Sequence, residues 1–269
     1  MFAIDCHDHV YNKRIAPRAV QSVGEFYDVK MNCSGIADEL IKISVNSPVK
    51  KFVINAVALS PKPVCKLNDF IAGECGKHSE FTGLGTLHPD MDGMEEELER
   101  IIALGLHGIK LHPDSQCFDM DCDKAMKMYE KIEGRLPILM HCGDYRSDRS
   151  HPKRLVNILN AFPDLTVVGA HFGGWSVFDE AVPYLKDRNC PLDISSSIPF
   201  IGIGKVSELI KLYGADRLMF GSDFPMWNPV KEYEAFMQID MDDDEREKIL
   251  WKNAARVFNI DCMDIVKEN

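Results

Sequence analysis

Eight short apolar runs, most of them followed by a stretch with helical spacing, set the tightest limit on what this 269-residue chain folds into. The runs are Phe2–Asp5, Phe52–Val57, Thr82–Leu87, Gly108–Leu111, Ile138–Met140, Thr166–Ala170, Leu192–Ile194 and Leu218–Phe220. Strands this apolar, alternating with helices, belong in a parallel sheet buried on both faces. Between them, Glu95–Leu104, Asp121–Glu133, Pro152–Phe162, Lys205–Tyr213 and Asp242–Phe258 place apolar residues three and four apart, as a helix with one buried face requires. Eight such units predict a single-domain (β/α)₈ TIM barrel spanning residues 1–269, with no linker or repeat to divide it. The segment between the first two strands is long for one crossover. We expect a helix at Leu40–Val45 and an extended loop over the barrel mouth at Val10–Ser34.

Composition narrows the partners. A net charge of −11 argues against a nucleic-acid-binding surface. No apolar run nears the roughly 20 residues of a membrane span, and the amino terminus carries no basic, then apolar, leader. The nine cysteines, an odd number with no CxxC pair, do not read as a disulfide framework. They read as free thiols of a cytoplasmic protein, most of them small core residues.

The chemistry-bearing residues cluster at the ends of the apolar runs. The first run leads into Asp5-Cys6-His7-Asp8-His9, where alternation in a strand turns His7 and His9 to one side within reach of one cation. The fifth run ends at His141, the sixth at His171 and the eighth at Asp223. In a barrel the carboxyl ends of all strands converge on one mouth, so residues more than 200 positions apart meet there. A buried Asp223 needs a cation or several donors to stay ionised. Three histidines and a carboxylate suit zinc, with manganese or iron as alternatives.

These motifs resemble the amidohydrolase superfamily. GIKLHP, AHFGG and the late NAARVFN narrow the resemblance to the amidohydrolase-2 group, which includes aminocarboxymuconate-semialdehyde decarboxylase and related metal-dependent hydrolases. The resemblance covers residues 3–260 and implies that His7, His9, His141 and Asp223 bind the metal and that His171 is the catalytic histidine. It also implies a small-molecule substrate and a homodimer. Asp223 would take a proton from the activated water, and His171 would stabilise developing charge. Some superfamily members carboxylate a strand-four lysine that bridges two metals, so Lys110 joins the candidate ligands and two ions stand as the alternative to one. Lys110 paired with an acid, or with a substrate carboxylate, is the plainer reading.

Beside these, His112, Arg146 and Trp175 are candidate substrate contacts. Each has a structural alternative: loop packing for His112, a solvated loop for Arg146, and packing on the barrel for Trp175. Tyr145, Arg149, Arg14, Arg18, Phe172, Trp227 and His88 share that ambiguity. His151 is expected to cap a helix, and the acids Glu95–Glu97 and Asp242–Glu245 to be solvated helix starts. The leading activity is a metal-dependent hydrolase acting on a small carboxylated molecule, with non-oxidative decarboxylation as its rival on the same site. A TatD-like nuclease shares the opening HxH but has a glutamate on strand four where GIKLHP stands here. A barrel that keeps its metal only as a structural staple is the non-catalytic alternative.

Overall fold

The computed structural model describes residues 1–263 and residue 265. Its strands are β1 Ala3–His9, β2 Val49–Asn55, β3 Phe81–Gly83, β4 Gly85–Thr86, β5 Ile109–Leu111, β6 Ile138–Met140, β7 Val167–Gly169, β8 Leu192–Asp193 and β9 Leu218–Met219. The helices are α1 Ala16–Tyr27, α2 Ala37–Asn46, α3 Val64–Cys75, α4 Met94–Ala103, α5 Pro113–Gln116, α6 Asp123–Ile132, α7 Pro152–Ala161, α8 Phe178–Leu185, α9 Ile198–Tyr213, α10 Pro229–Phe236, α11 Asp243–Glu247 and α12 Asn253–Val257, with a π turn over Lys248–Lys252. Each expected apolar run thus contains or overlaps a strand. The third is interrupted at Leu84, so that β3 and β4 share it.

The chain packs as two compact units. The first comprises Met1–Asn55, Gly73–Thr82 and the chain from Ile194 onward. Here β1 pairs in parallel with β2, and a bulge between Asp5 and Asp8 shifts the register. On its other side β1 meets the segment after β9: the Cys6 N–H donates to the Phe220 carbonyl at 3.0 Å, and the His9 N–H to the Phe224 carbonyl at 2.6 Å. Asp5 fastens this join, one carboxylate oxygen accepting the N–H groups of Ser222 (2.8 Å) and His7 (3.2 Å). The strand therefore runs through His9, farther than its apolar stretch indicates.

The second unit comprises Ala56–Ala72 and Gly83–Asp193. Strands β4 to β8 pair in parallel in chain order, with Lys110 opposite Thr86 and Leu139, and Leu139 opposite Val168. Every residue of β5, β6 and β7 is buried, which is why all three read as unbroken apolar runs apart from Lys110.

Two expectations are overturned. Val10–Ser34 is not an extended loop, because α1 occupies Ala16–Tyr27. Pro17 presets the first turn, and a shallow stripe (Ala16, Ala19, Val20, Val23, Gly24, Tyr27) turns inward at helical spacing. Glu97 is not solvated either. It is 4% exposed and accepts from Asn68 Nδ2 (2.6 Å) and Arg100 (2.8 Å), while the Asn68 amide also bonds the Thr86 backbone. These bonds hold its carboxyl below its ordinary range against the opposing push of burial. Glu95, Glu96 and Asp242–Glu245 are exposed as expected, and Asp242 caps its helix through the Glu245 N–H. His151 caps α7, its Nδ1 accepting the Lys153 N–H at 3.1 Å. The nine cysteines are free thiols, five of them buried. No helix among the described residues is long and apolar enough to cross a membrane.

Candidate functional site

In the first unit, His7, His9 and Asp223 come together. The two imidazole Nε2 atoms lie 3.2 Å apart, and Asp223 Oδ1 lies 3.6 Å from the first and 3.5 Å from the second. The i, i+2 spacing on β1 supplies the pair, and the β1 join to Phe220 and Phe224 brings Asp223 beside it. Asp223 and Ser196 both follow strand ends in the left-handed region, at φ 62° and 52°. That is costly for residues with a Cβ and is tolerated where it aims a side chain.

A second layer fixes His7 and Asp223. His7 Nδ1 meets the Ser195 hydroxyl at 3.0 Å. A proton at Nδ1 donated to that oxygen leaves the lone pair on Nε2, toward His9 and Asp223. Ser196 donates its hydroxyl to Asp223 Oδ2 at 2.6 Å and accepts the Trp227 Nε1–H at 3.0 Å. Asp223 is thus held by one oxygen and presents the other to the histidines. Around the trio lie more buried acids. Burial raises Asp5 to about 6 and Asp8 well above the usual carboxylate range, with Asp5 and Asp223 adding to the push on Asp8. Both Asp8 oxygens and both Asn55 amide atoms are buried without a hydrogen-bond partner among the described residues. Burial, with Asp5 and Asp223 contributing, raises Glu232 to about 8.

In the second unit, His112, His141 and His171 come together with Asp114. His141 Nδ1 lies 3.1 Å from His171 Nε2, and its Nε2 lies 3.0 Å from the Gly143 carbonyl oxygen. A carbonyl only accepts, so Nε2 carries the proton and the Nδ1 lone pair faces His171. The His112 ring stacks on His141 at 3.9 Å with 9° between planes. The Ser115 N–H donates to His112 Nδ1 at 3.3 Å, and the Gln116 side chain bonds the backbone of His112, Ala58 and Leu87. Gly143, at φ 83°, makes the close approach possible: a Cβ there would lie 2.6 Å from the backbone of Gly174 and Trp175. The Trp175 N–H donates to the Cys142 carbonyl across that contact.

The remaining candidates divide. Trp175 is buried, its ring 6.4 Å from that of His141. Arg146 makes bidentate bonds to Asp144 (2.8 and 2.6 Å) and lies 5.6 Å over the Trp175 ring, so its charge is already matched. Lys110 is wholly buried in mid-strand, one residue before the end of β5. His88 accepts the Asp90 N–H in a local turn, and burial lowers its pKa. Phe172 is fully buried and Trp227 stands beside Ser196, whereas Tyr145 is exposed. The sequence reading passed over Asp114, Asp193, Ser195 and Ser196. Each lies at or just past the end of a short strand, where position in the fold rather than residue pattern is the signal. Asp193 accepts the His171 N–H at 3.0 Å.

The family model described as Amidohydrolase matches residues 4–260. Among curated proteins none matches. Among solved structures, an uncharacterised TIM-barrel protein from Bordetella bronchiseptica is 20% identical with a TM-score of 0.77, covering 96% of this chain and 99% of that one. A dihydroxybenzoic acid decarboxylase from Polaromonas sp. JS666, with bound manganese and 2-nitroresorcinol, is 18% identical at TM-score 0.74, covering 96% and 97%. A putative 2-pyrone-4,6-dicarboxylic acid hydrolase from Pseudomonas putida is 17% identical at TM-score 0.69, covering 97% and 98%. These likenesses show the fold, a (β/α)₈ TIM barrel, as the alternation of runs and helices led us to expect.

Proposed function

The chain belongs to the amidohydrolase family, a family of enzymes, and from that premise we propose a metal-dependent hydrolase of a small carboxylated molecule. The observation that carries the proposal is the spacing of His7 Nε2, His9 Nε2 and Asp223 Oδ1, between 3.2 and 3.6 Å. Ligands set tetrahedrally about 2.0–2.1 Å from one ion stand about 3.3–3.4 Å from each other, so this donor set fits a zinc-sized cation. Two imidazoles and a carboxylate also suit manganese or iron. The motif resemblance adds His141 as a further ligand, and its proton on Nε2 and lone pair on Nδ1 suit that part. One ion suffices for this reading, and Lys110 would join only as a carbamate bridging a second.

A bound divalent ion supplies Lewis acidity that lowers the pKa of a water from about 15.7 toward 7. The residues of the chain do the rest. Asp223, oriented by the Ser196 hydroxyl, would take the proton of the attacking water and return it to the leaving group. His171, held at its backbone by Asp193, stabilises charge on the substrate's carbonyl oxygen. Trp175 and His112 wall the substrate. Arg146, its charge matched by Asp144, offers a flat face beside Trp175.

Decarboxylation is the second reading, favoured by the decarboxylases among structures sharing the fold, one with manganese. In it Asp223 delivers its proton to the carbon that loses carbon dioxide. The pyrone hydrolases of the same fold keep hydrolysis first here, together with a carboxylate poised beside two imidazoles. A small molecule rather than nucleic acid is the proposed partner on the charge of −11, and a cytoplasmic enzyme on its free thiols.

Elemental analysis tests the site. The purified wild type should carry roughly one divalent ion per chain, and Asp223→Ala and His141→Ala clearly less. Undiminished metal in both variants defeats the ligand assignment. Assays for carbon dioxide release against ester, lactone or amide cleavage then separate the two reactions.

A further inference from the structure

Asp114 follows His112 on the short helix α5, and its carboxylate has no evident structural employment. Its side chain is 3% exposed, and neither oxygen makes a hydrogen bond among the described residues. Ser147 and Ser150 hydroxyls lie near enough to draw its pKa down against the larger upward push of burial, but neither sits in bonding geometry. A buried carboxylate with its acceptor capacity unspent costs stability and calls for a reason.

A second ion held by His112, Asp114 and His141 is not that reason, although their ligand atoms lie within 4.8 Å of one another. The two rings are parallel within 9°, so their in-plane lone pairs do not converge on one point. Each Nε2 also carries a proton: in His112 because Nδ1 accepts from Ser115, and in His141 because Nε2 donates to Gly143.

What the carboxylate does face is the protonated edge of His141, with Oδ2 3.9 Å from Nε2. We propose that Asp114 is a positioning residue, the buried negative charge that stabilises His141 when its opposite nitrogen, Nδ1, binds a cation. A cation at Nδ1 draws electron density through the ring and leaves Nε2–H more positive. A carboxylate behind that edge then gains energy which it lacks in the ion-free protein. Carboxylates behind a ligating imidazole act in this way in metal sites generally. The Gly143 carbonyl fixes the tautomer and the His112 stack fixes the ring plane, while Asp114 adds the charge. The inference rests on His141 being a ligand.

The test uses the full chain stripped of metal with a chelator and titrated with zinc against a chromophoric competitor. Asp114→Asn keeps the shape and removes the charge. We expect its zinc dissociation constant to rise about tenfold or more, while the melting temperature of the metal-free variant stays level or rises, because a stranded carboxylate is gone. A merely structural Asp114 would give the reverse, a lower melting temperature with affinity kept. Asp114→Ser serves as a second variant of the same sign should the first fold poorly. Unchanged affinity in Asp114→Asn, beside a His141→Ala variant that loses zinc, overturns the role of Asp114 alone. Zinc bound as tightly by His141→Ala as by wild type removes the ligand and defeats both readings.

Discussion

Two clusters of the same kinds of residue sit in the two units and are wired in opposite senses. His7 and Asp223 have their far atoms engaged by Ser195 and Ser196, and the near atoms of His7, His9 and Asp223 lie 3.2 to 3.6 Å apart. His112, Asp114 and His141 lie almost as close, yet two stacked rings and the bonds from Ser115 and to Gly143 keep their lone pairs from meeting. Proximity of histidines and acids therefore does not define a metal site. The partner of each remote nitrogen does, because it decides which nitrogen keeps its lone pair and where that lone pair points.

The hardest blow to this contrast comes from removing one histidine from each cluster. His7→Ala should abolish stoichiometric metal and cut turnover by several orders of magnitude, since a lost ligand leaves an incomplete coordination set. His112→Ala should keep its metal, as measured by elemental analysis after gel filtration, and lose activity less steeply. Equal metal loss in the two variants would erase the distinction drawn from their wiring.

The two clusters also differ in how much of them the sequence discloses. β5, β6 and β7 are buried on both faces and announce themselves as apolar runs, and the residues that end them were legible as a consequence. β1 is different: five of its seven residues, from Asp5 to His9, are Asp, Cys or His, so the apolar signal stops at Asp5 although the strand continues to His9. Only the i, i+2 spacing of His7 and His9 reveals it. Helix α1 was hidden by a stripe of small residues, α8 by Pro183 within it, and α9 starts seven residues before its clear periodicity because Gly202 breaks the helical geometry. Glu97 looked like a solvated charge because Asn68 and Arg100, which hold it, are in one case distant in sequence. Asp114 and Ser196 stayed invisible for the same reason: what they do depends on a partner the chain brings near only on folding.

A gentler probe sharpens the first cluster. Ser196→Ala frees one oxygen of Asp223 and breaks the link to Trp227 without touching a ligand atom. Orienting bonds of this kind contribute 10–100-fold to metal affinity in comparable sites. We expect a loss of about tenfold in zinc affinity, read by competitive titration, with the fold intact by circular dichroism. An unchanged affinity would mean that Asp223 is held by its backbone alone, consistent with its left-handed φ of 62°.

The smallest expected effect concerns the charge that surrounds that cluster when no cation is bound. Burial, together with Asp5 and Asp223, moves Glu232 from 4.5 to about 8. Between roughly those two values the folded protein keeps a proton that the unfolded chain releases. Stability of the chelated protein must therefore fall as pH rises through this window. Asp5, raised to about 6, adds a slope of the same sign over the lower part. Glu232→Gln removes the larger contribution, so its melting temperature at pH 8 should exceed that of the chelated wild type by at least about 2–4 °C, the shift per kcal/mol for a chain of this size. At pH 5, where the wild-type side chain is mostly protonated, the two should nearly coincide. The slope between pH 5 and 8 in differential scanning calorimetry decides it: a variant that melts in parallel with the wild type would show that Glu232 is charged and compensated, and that the first unit carries no excess of buried negative charge for a cation to relieve.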